Sequence, residues 1–252
     1  RVSLAVLLLP AAAACDDAPK PGAPGASAAP AATTAAHTAA TAATPAPAPA
    51  ANPELLVDAE GPYLAGTRVD LAAAGGKEKL TRIIGSLPKK AEPQTLIVDK
   101  KAKVPVVATV VAELGAAGTP RVVIKTNGRG DLPKEVTFTP EGRVSSPPGC
   151  SVTAMVLKDL STAVWPIKGG TGKRQRKGFA GPDLSHTSEA LTKDLGACDS
   201  KVAFVSADDN VPWEDAFNLA GTVLKSDEKK HLDTLVLLKE APVAGRPVAL
   251  SK

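Results

Sequence analysis

Apolar residues recur along this chain in two periods, and the changes of period mark its elements. Leu80, Ile83, Ile84 and Leu87 stand at i, i+3, i+4 and i+7, one face of a helix. The run TLIVD that follows is short, β-branched and strand-like. Val107, Val110, Val111 and Leu114 then resume the helical spacing. Their β-branched side chains would also suit a strand, but a stretch opened by Pro105 and closed by Gly115 and Gly118 is framed as a helix. RVVIKT and EVTFTP, joined by a turn rich in Gly and Asp, read as a strand pair.

Downstream the order returns. VTAMVLK and TAVWPI read as strands, Leu184, Ser188, Leu191 and Leu195 form a helical stripe, and KVAFV is again a strand. The helix after Pro212 places Trp213, Ala216, Phe217, Ala220, Val223 and Leu224 on one face. Glu214 and Asp215 suit the positive end of its dipole, and Asp208, Asp209 and Asn210 are placed to cap it. DTLVLLK and PVALS close the unit as a second strand pair. The offset that carries Val104-Pro105 onto Val211-Pro212 also carries Leu80–Leu87 onto Thr187–Asp194. The pattern predicts an α+β fold of two tandem β-α-β-α-β-β domains, over residues 54–143 and 150–252, divided at VSSPPG where Pro and Gly interrupt the chain.

The residues ahead of these units differ in kind. Residues 1–15, RVSLAVLLLPAAAAC, join a basic Arg1 to an apolar run ending in small residues and a cysteine. As a helix that run would span about 20 Å, short of a hydrocarbon core of about 30 Å, so it reads as a signal peptide rather than a membrane span. Its ending resembles a bacterial lipobox, with Ala12 where Leu is usual, which makes Cys15 the expected site of lipidation; ordinary cleavage after Ala-x-Ala is the alternative. By resemblance to the sorting of enterobacterial lipoproteins, Asp16 directly after the cysteine implies retention at the inner membrane. Residues 16–53 are almost entirely Ala, Pro, Thr and Gly and are expected to form a disordered tether, since they have little apolar surface to offset the entropy of ordering.

Aromatic residues make up only 3% of the 252, so the cores must rest on Val, Leu, Ile and Ala. The net charge of +4 is too mild a basic excess for a nucleic-acid partner. With Cys15 assigned, Cys150 and Cys198 remain as a pair. In an exported chain a disulfide between them is expected, closing a loop of roughly fifty residues for about 4 kcal/mol; two buried thiols are the alternative. Neither these cysteines nor His37, His186 and His231 show metal-ligand spacing, and no metal or cofactor is expected.

Candidate chemistry is thin. KGGTGKRQRKG lacks the phosphate-loop pattern, because Ile167 and Arg174 stand where Gly and Ser or Thr are needed. It reads as a solvated loop whose Lys168, Lys173, Arg174, Arg176 and Lys177 could hold anionic headgroups or wall polymers. Arg129-Gly130-Asp131 sits where a hairpin turn is wanted. Ser185-His186 has no nucleophile elbow beside it, so no catalytic residues and no enzyme are expected. Trp165 and Trp213 are the candidate binding aromatics, with Trp213 falling on an apolar stripe.

LIVDKKAKVPVVATVVAELGAAGTPRVVIKT and AFVSADDNVPWEDAFNLAGTVLKSDEKKHLDTLVLL both resemble the periplasmic domain of the ExbD/TolR family of biopolymer-transport proteins. The likeness covers most of residues 77–139 and 184–250 and lies in apolar spacing and proline placement. It implies a non-catalytic periplasmic interaction module, whose partner is a membrane or periplasmic protein, such as an ExbB/TolQ-type motor complex, or peptidoglycan. Family members carry a transmembrane helix with a proton-conducting aspartate, and no such segment stands in this sequence. The implied role is therefore contact rather than proton flow, with membrane attachment through the lipid anchor. A periplasmic wall- or solute-binding lipoprotein is the alternative.

Overall fold

The computed structural model describes residues 54–88 and 93–251. The signal-peptide reading of residues 1–15, Cys15 within it and the linker at 16–53 lie outside the described residues. Among those described, the fold is mixed α+β, with four α-helices and an eleven-stranded sheet. The first part of the chain supplies strands β1 (Leu55–Asp58), β2 (Gly61–Leu64) and β3 (Thr67–Arg68), helix α1 (Gly76–Ser86), β4 (Gln94–Val98), α2 (Val104–Ala116), β5 (Val122–Lys125) and β6 (Glu135–Pro140). The second supplies β7 (Val152–Val156), β8 (Thr162–Pro166), β9 (Lys173–Gln175), α3 (Leu184–Gly196), β10 (Val202–Ala207), α4 (Trp213–Ser226) and β11 (Thr234–Leu237).

The sheet runs β3-β2-β1-β4-β5-β6-β11-β10-β7-β8-β9. Read inward from either edge it repeats itself: an antiparallel three-strand meander, then two strands parallel to the meander's first. The register repeats as well. Leu56 and Val57 stand beside Ile97 and Val98 in one half, and Thr153 and Ala154 stand beside Phe204 and Val205 in the other. The offset that joins the two prolines carries Ile97 onto Phe204 and Val98 onto Val205. β6 is the odd strand. It lies antiparallel to β5 and, through Thr139 and Pro140, parallel to β11, so it stitches the two repeats into one sheet.

Three features depart from the pattern read in the sequence. Each repeat opens with a three-strand meander: in the second, VTAMVLK and TAVWPI form β7 and β8 as expected and β9 is added, while in the first β1 to β3 are two to four residues long and broken by Gly61, Pro62 and Gly66, too short to show a period. PVALS is not a strand. Pro247 has no N–H to give a ladder, and within the segment the backbone bond to the second meander is that of the Val248 amide, donated to the Ile167 carbonyl at 2.9 Å. The third change is on α3, whose buried stripe carries Thr187 in place of Ser188. The Thr187 hydroxyl bonds that of Thr162 on β8 at 2.7 Å, which satisfies a polar group beneath the helix.

Strand residues alternate between two faces. The inner set includes Val57, Leu96, Val98 and Ile124 from the first repeat and Ala154, Ala203, Val205 and Leu237 from the second. All of these join one continuous core with the helices of both repeats. α2 approaches the end of β6 closely: a β-carbon at Gly115 would lie 2.3 Å from the Pro140 Cβ, so only glycine fits there.

Candidate functional site

The two Val-Pro turns meet. Lys103, before α2, and Pro212, before α4, form an antiparallel bridge. Helix α4 has no side-chain cap, contrary to the expectation for Asp208, Asp209 and Asn210. Its first free amides are satisfied instead by the other repeat: Trp213 N–H donates to the Ala102 carbonyl at 2.9 Å and Glu214 N–H to that of Lys100 at 3.0 Å. Proline 212 sets the chain direction that makes this possible. Trp213 is fully buried between Phe138 and Phe217, and its indole Nε1 donates to Thr126 Oγ1 at 2.7 Å. That hydroxyl in turn donates to the Val98 carbonyl. The junction is therefore a packed, hydrogen-bonded seam.

Beside it opens a cleft of about 560 Å³ lined by Arg129, Phe179, Asp183, Ser185, Glu214, Asp215 and Asn218, among others. Burial pushes the Asp215 carboxyl above its usual range, helped by the neighbouring Glu214 charge. The His186 ring lies outside the hydrophobic core, bonded to Asp183 at 2.7 Å. That contact raises the imidazole and lowers the carboxyl. Ser185 is its chain neighbour, but among the described residues no hydroxyl bonds the imidazole. Arg129 and Asp131 pair with each other, and the Arg129 amide donates to Asn218 Oδ1, so the turn is bound down on α4.

The cationic segment is partly ordered into strand. Lys173 and Arg174 belong to β9, which pairs with β8, so the stretch is not wholly a loop. Lys173 engages Asp194, and Arg174 engages Asp159 and Ser161. Lys168, Arg176 and Lys177 are exposed, and no ion pair holds them among the described residues. Cys150 and Cys198 are joined as a disulfide with their Cα atoms 5.8 Å apart. Trp165 is not an open binding aromatic: it is buried, and its Nε1 donates to the Arg246 carbonyl.

One surface was not singled out by sequence. On the outer face of the first repeat, Tyr63, Leu56 and Ile97 stand in one cross-strand row, with Val123 diagonal to them. Ile97 is 44% exposed. The row borders a trough of about 460 Å³ whose rim includes Asp99, Lys100, Lys125, Lys134 and Glu135. The signal was present in TLIVD, where Leu96 and Val98 point inward and Ile97 must point the other way. No helix among the described residues is long and apolar enough to cross a membrane. No family model, curated protein or solved structure matches the chain.

Proposed function

We propose that this chain is a non-catalytic periplasmic interaction module of the ExbD/TolR kind, attached to the inner membrane through lipid on Cys15. Its two repeats supply within one chain the pairing that family members obtain from two. The observation that carries the reading is the repeated strand order and register, with the two Val-Pro helix starts joined by backbone bonds. A protein whose cores are shared in this way is built to present surfaces rigidly. The partner is a membrane or periplasmic protein such as a motor complex of the ExbB/TolQ type. In-cell cross-linking of the full chain followed by mass spectrometry tests this. Recovery of a membrane protein, lost when the chain carries Cys15→Ser, is the expected result. A chain that cross-links to nothing and labels with no lipid overturns it.

The alternative of wall binding draws on the exposed Lys168, Arg176 and Lys177. Salt-sensitive sedimentation with isolated peptidoglycan, abolished by substituting all three with glutamine, would favour it over the first reading.

A further inference from the structure

The outer faces of the two repeats differ in one respect, and the difference describes a ligand. On the second repeat, Met155, Ala163, Trp165, Phe204 and Val236 would stand open, but the chain's final segment covers them. That segment turns at Val243–Arg246 and then runs without further turns through Pro247 to Ser251. Val248 and Leu250, two residues apart, pack against the apolar surface, as alternate residues of an extended chain do. Its two ends are fastened by one buried carboxylate: Glu141 accepts the amides of Lys239 and Ser251. The corresponding face of the first repeat has the same sheet beneath it and no described segment over it. Leu56, Tyr63 and Ile97 form its floor.

Charge at the rim specifies the occupant further. Lys125 pairs with Glu135 at 2.8 Å, and Asp99 accepts the Lys101 amide. Lys100 and Lys134 are exposed at the same end of the trough, and neither has an ion pair among the described residues. An extended aliphatic segment with carboxylates at one end complements this surface.

We infer that the outer face of the first repeat binds an extended peptide segment of a partner protein, with valine or leucine at alternate positions and acidic residues at the end lying by Lys100 and Lys134. This rests on reading the chain as an interaction module, and it names the face and the partner's chemistry. The test titrates the isotope-labelled full chain with two short synthetic peptides. Both alternate valine and leucine with alanine and proline; one ends in two aspartates, the other in two lysines. Expected are amide shifts at Leu56, Ile97, Lys125 and Lys134, with the aspartate peptide binding about tenfold tighter at low salt. Ile97→Asp, at an exposed position, should abolish binding, and Lys134→Glu should reverse the preference. Shifts confined to other surfaces, equal affinity for both peptides, or no binding by either overturns the inference. In-cell cross-linking decides the broader reading separately: a partner captured from cells, with neither peptide bound here, retains the interaction role and removes this face from it.

Discussion

The two repeats share a strand order and diverge at the step after their last common strand. From β5 the first turns back through β6 and lengthens the sheet. From β11 the second crosses beneath the sheet and covers it. The burial patterns follow from that choice. β4 and β5 alternate buried with open positions, whereas β7 is buried at every residue. The repeated strand order thus has one half with a sealed outer face and one half with an open outer face, although inward-facing residues of both belong to the same core. The inner faces differ as well: the offset sets buried Leu80 of α1 against the hydrogen-bonded Thr187 of α3, and Val106 of α2 against Trp213 of α4.

The sharpest way to break this arrangement is at the seam. Trp213 fills the space between Phe138 and Phe217, so Trp213→Ala should cost about 3–5 kcal/mol by urea unfolding. Trp213→Phe keeps most of the volume but leaves the buried Thr126 hydroxyl without its donor, for about 1–3 kcal/mol. The offset places Val106 of α2 opposite Trp213, and Val106 is only half-buried. Val106→Ala should cost about 1 kcal/mol or less. Equal losses at the two positions would mean that the repeats do not divide the load as described.

The second repeat alone carries a covalent tie. Cys150 and Cys198 are 48 residues apart, and opening their bond should lower stability by about 4 kcal/mol through the entropy of the unfolded chain. Paired unfolding curves of the wild type and the double serine variant measure it. A loss below about 1 kcal/mol would place the constraint elsewhere.

How much of this was legible beforehand depended on period. α2 and α4 are legible because their apolar positions recur over three turns after a Val-Pro start, β5 because Val and Ile run unbroken, and β6, β10 and β11 because short runs of β-branched, aromatic and aliphatic residues stand between polar turns. The Val-Pro coincidence points to the repeat in strand order, and Cys150 and Cys198 are bonded as expected. What stayed hidden was non-local. No spacing says that Lys100 and Ala102 cap α4, since that bond joins distant residues, nor that Pro247 and Val248 cross a sheet rather than extend it. The trough at Ile97 is not legible in the sequence, because an apolar residue on a strand's outer face gives no sign of whether a later segment will cover it. The cations of β9 were found, but their carboxylate partners Asp159 and Asp194 come from a hairpin turn and a helix.

The covering segment offers the next test. A chain truncated after Lys239 loses Val248 and Leu250 from the apolar surface and the Arg246 carbonyl from Trp165, so it should be less stable by about 2–4 kcal/mol. It should also bind a hydrophobic dye over Trp165 and Phe204. Ile97→Ala, on the face that is already open, should change stability by about 0.5 kcal/mol or less. A truncated chain as stable as the full one, with no dye bound, would show that the tail lies on the sheet without sealing it.

The smallest expected effect lies at the sheet's edges, where the repeats again match. In each, an arginine on the third strand grips an aspartate of the first hairpin: Arg68 holds Asp58, and Arg174 holds Asp159. The Arg68 guanidinium lowers the Asp58 carboxyl, and the Ser161 hydroxyl, with Arg174 beyond it, lowers that of Asp159. A carboxyl depressed in the folded state favours folding wherever it is ionised in both states. That contribution is complete above the unfolded value of about 3.9 and disappears as pH falls through the folded one. Thermal unfolding followed from pH 7 to pH 2 should therefore show Asp58→Asn and the wild type differing slightly at neutral pH and converging in acid. Because both pairs sit at the solvent edge, the neutral-pH difference should shrink in high salt. A difference that grew in acid would reverse the sign assigned to Asp58 and remove the electrostatic half of the match between the two edges.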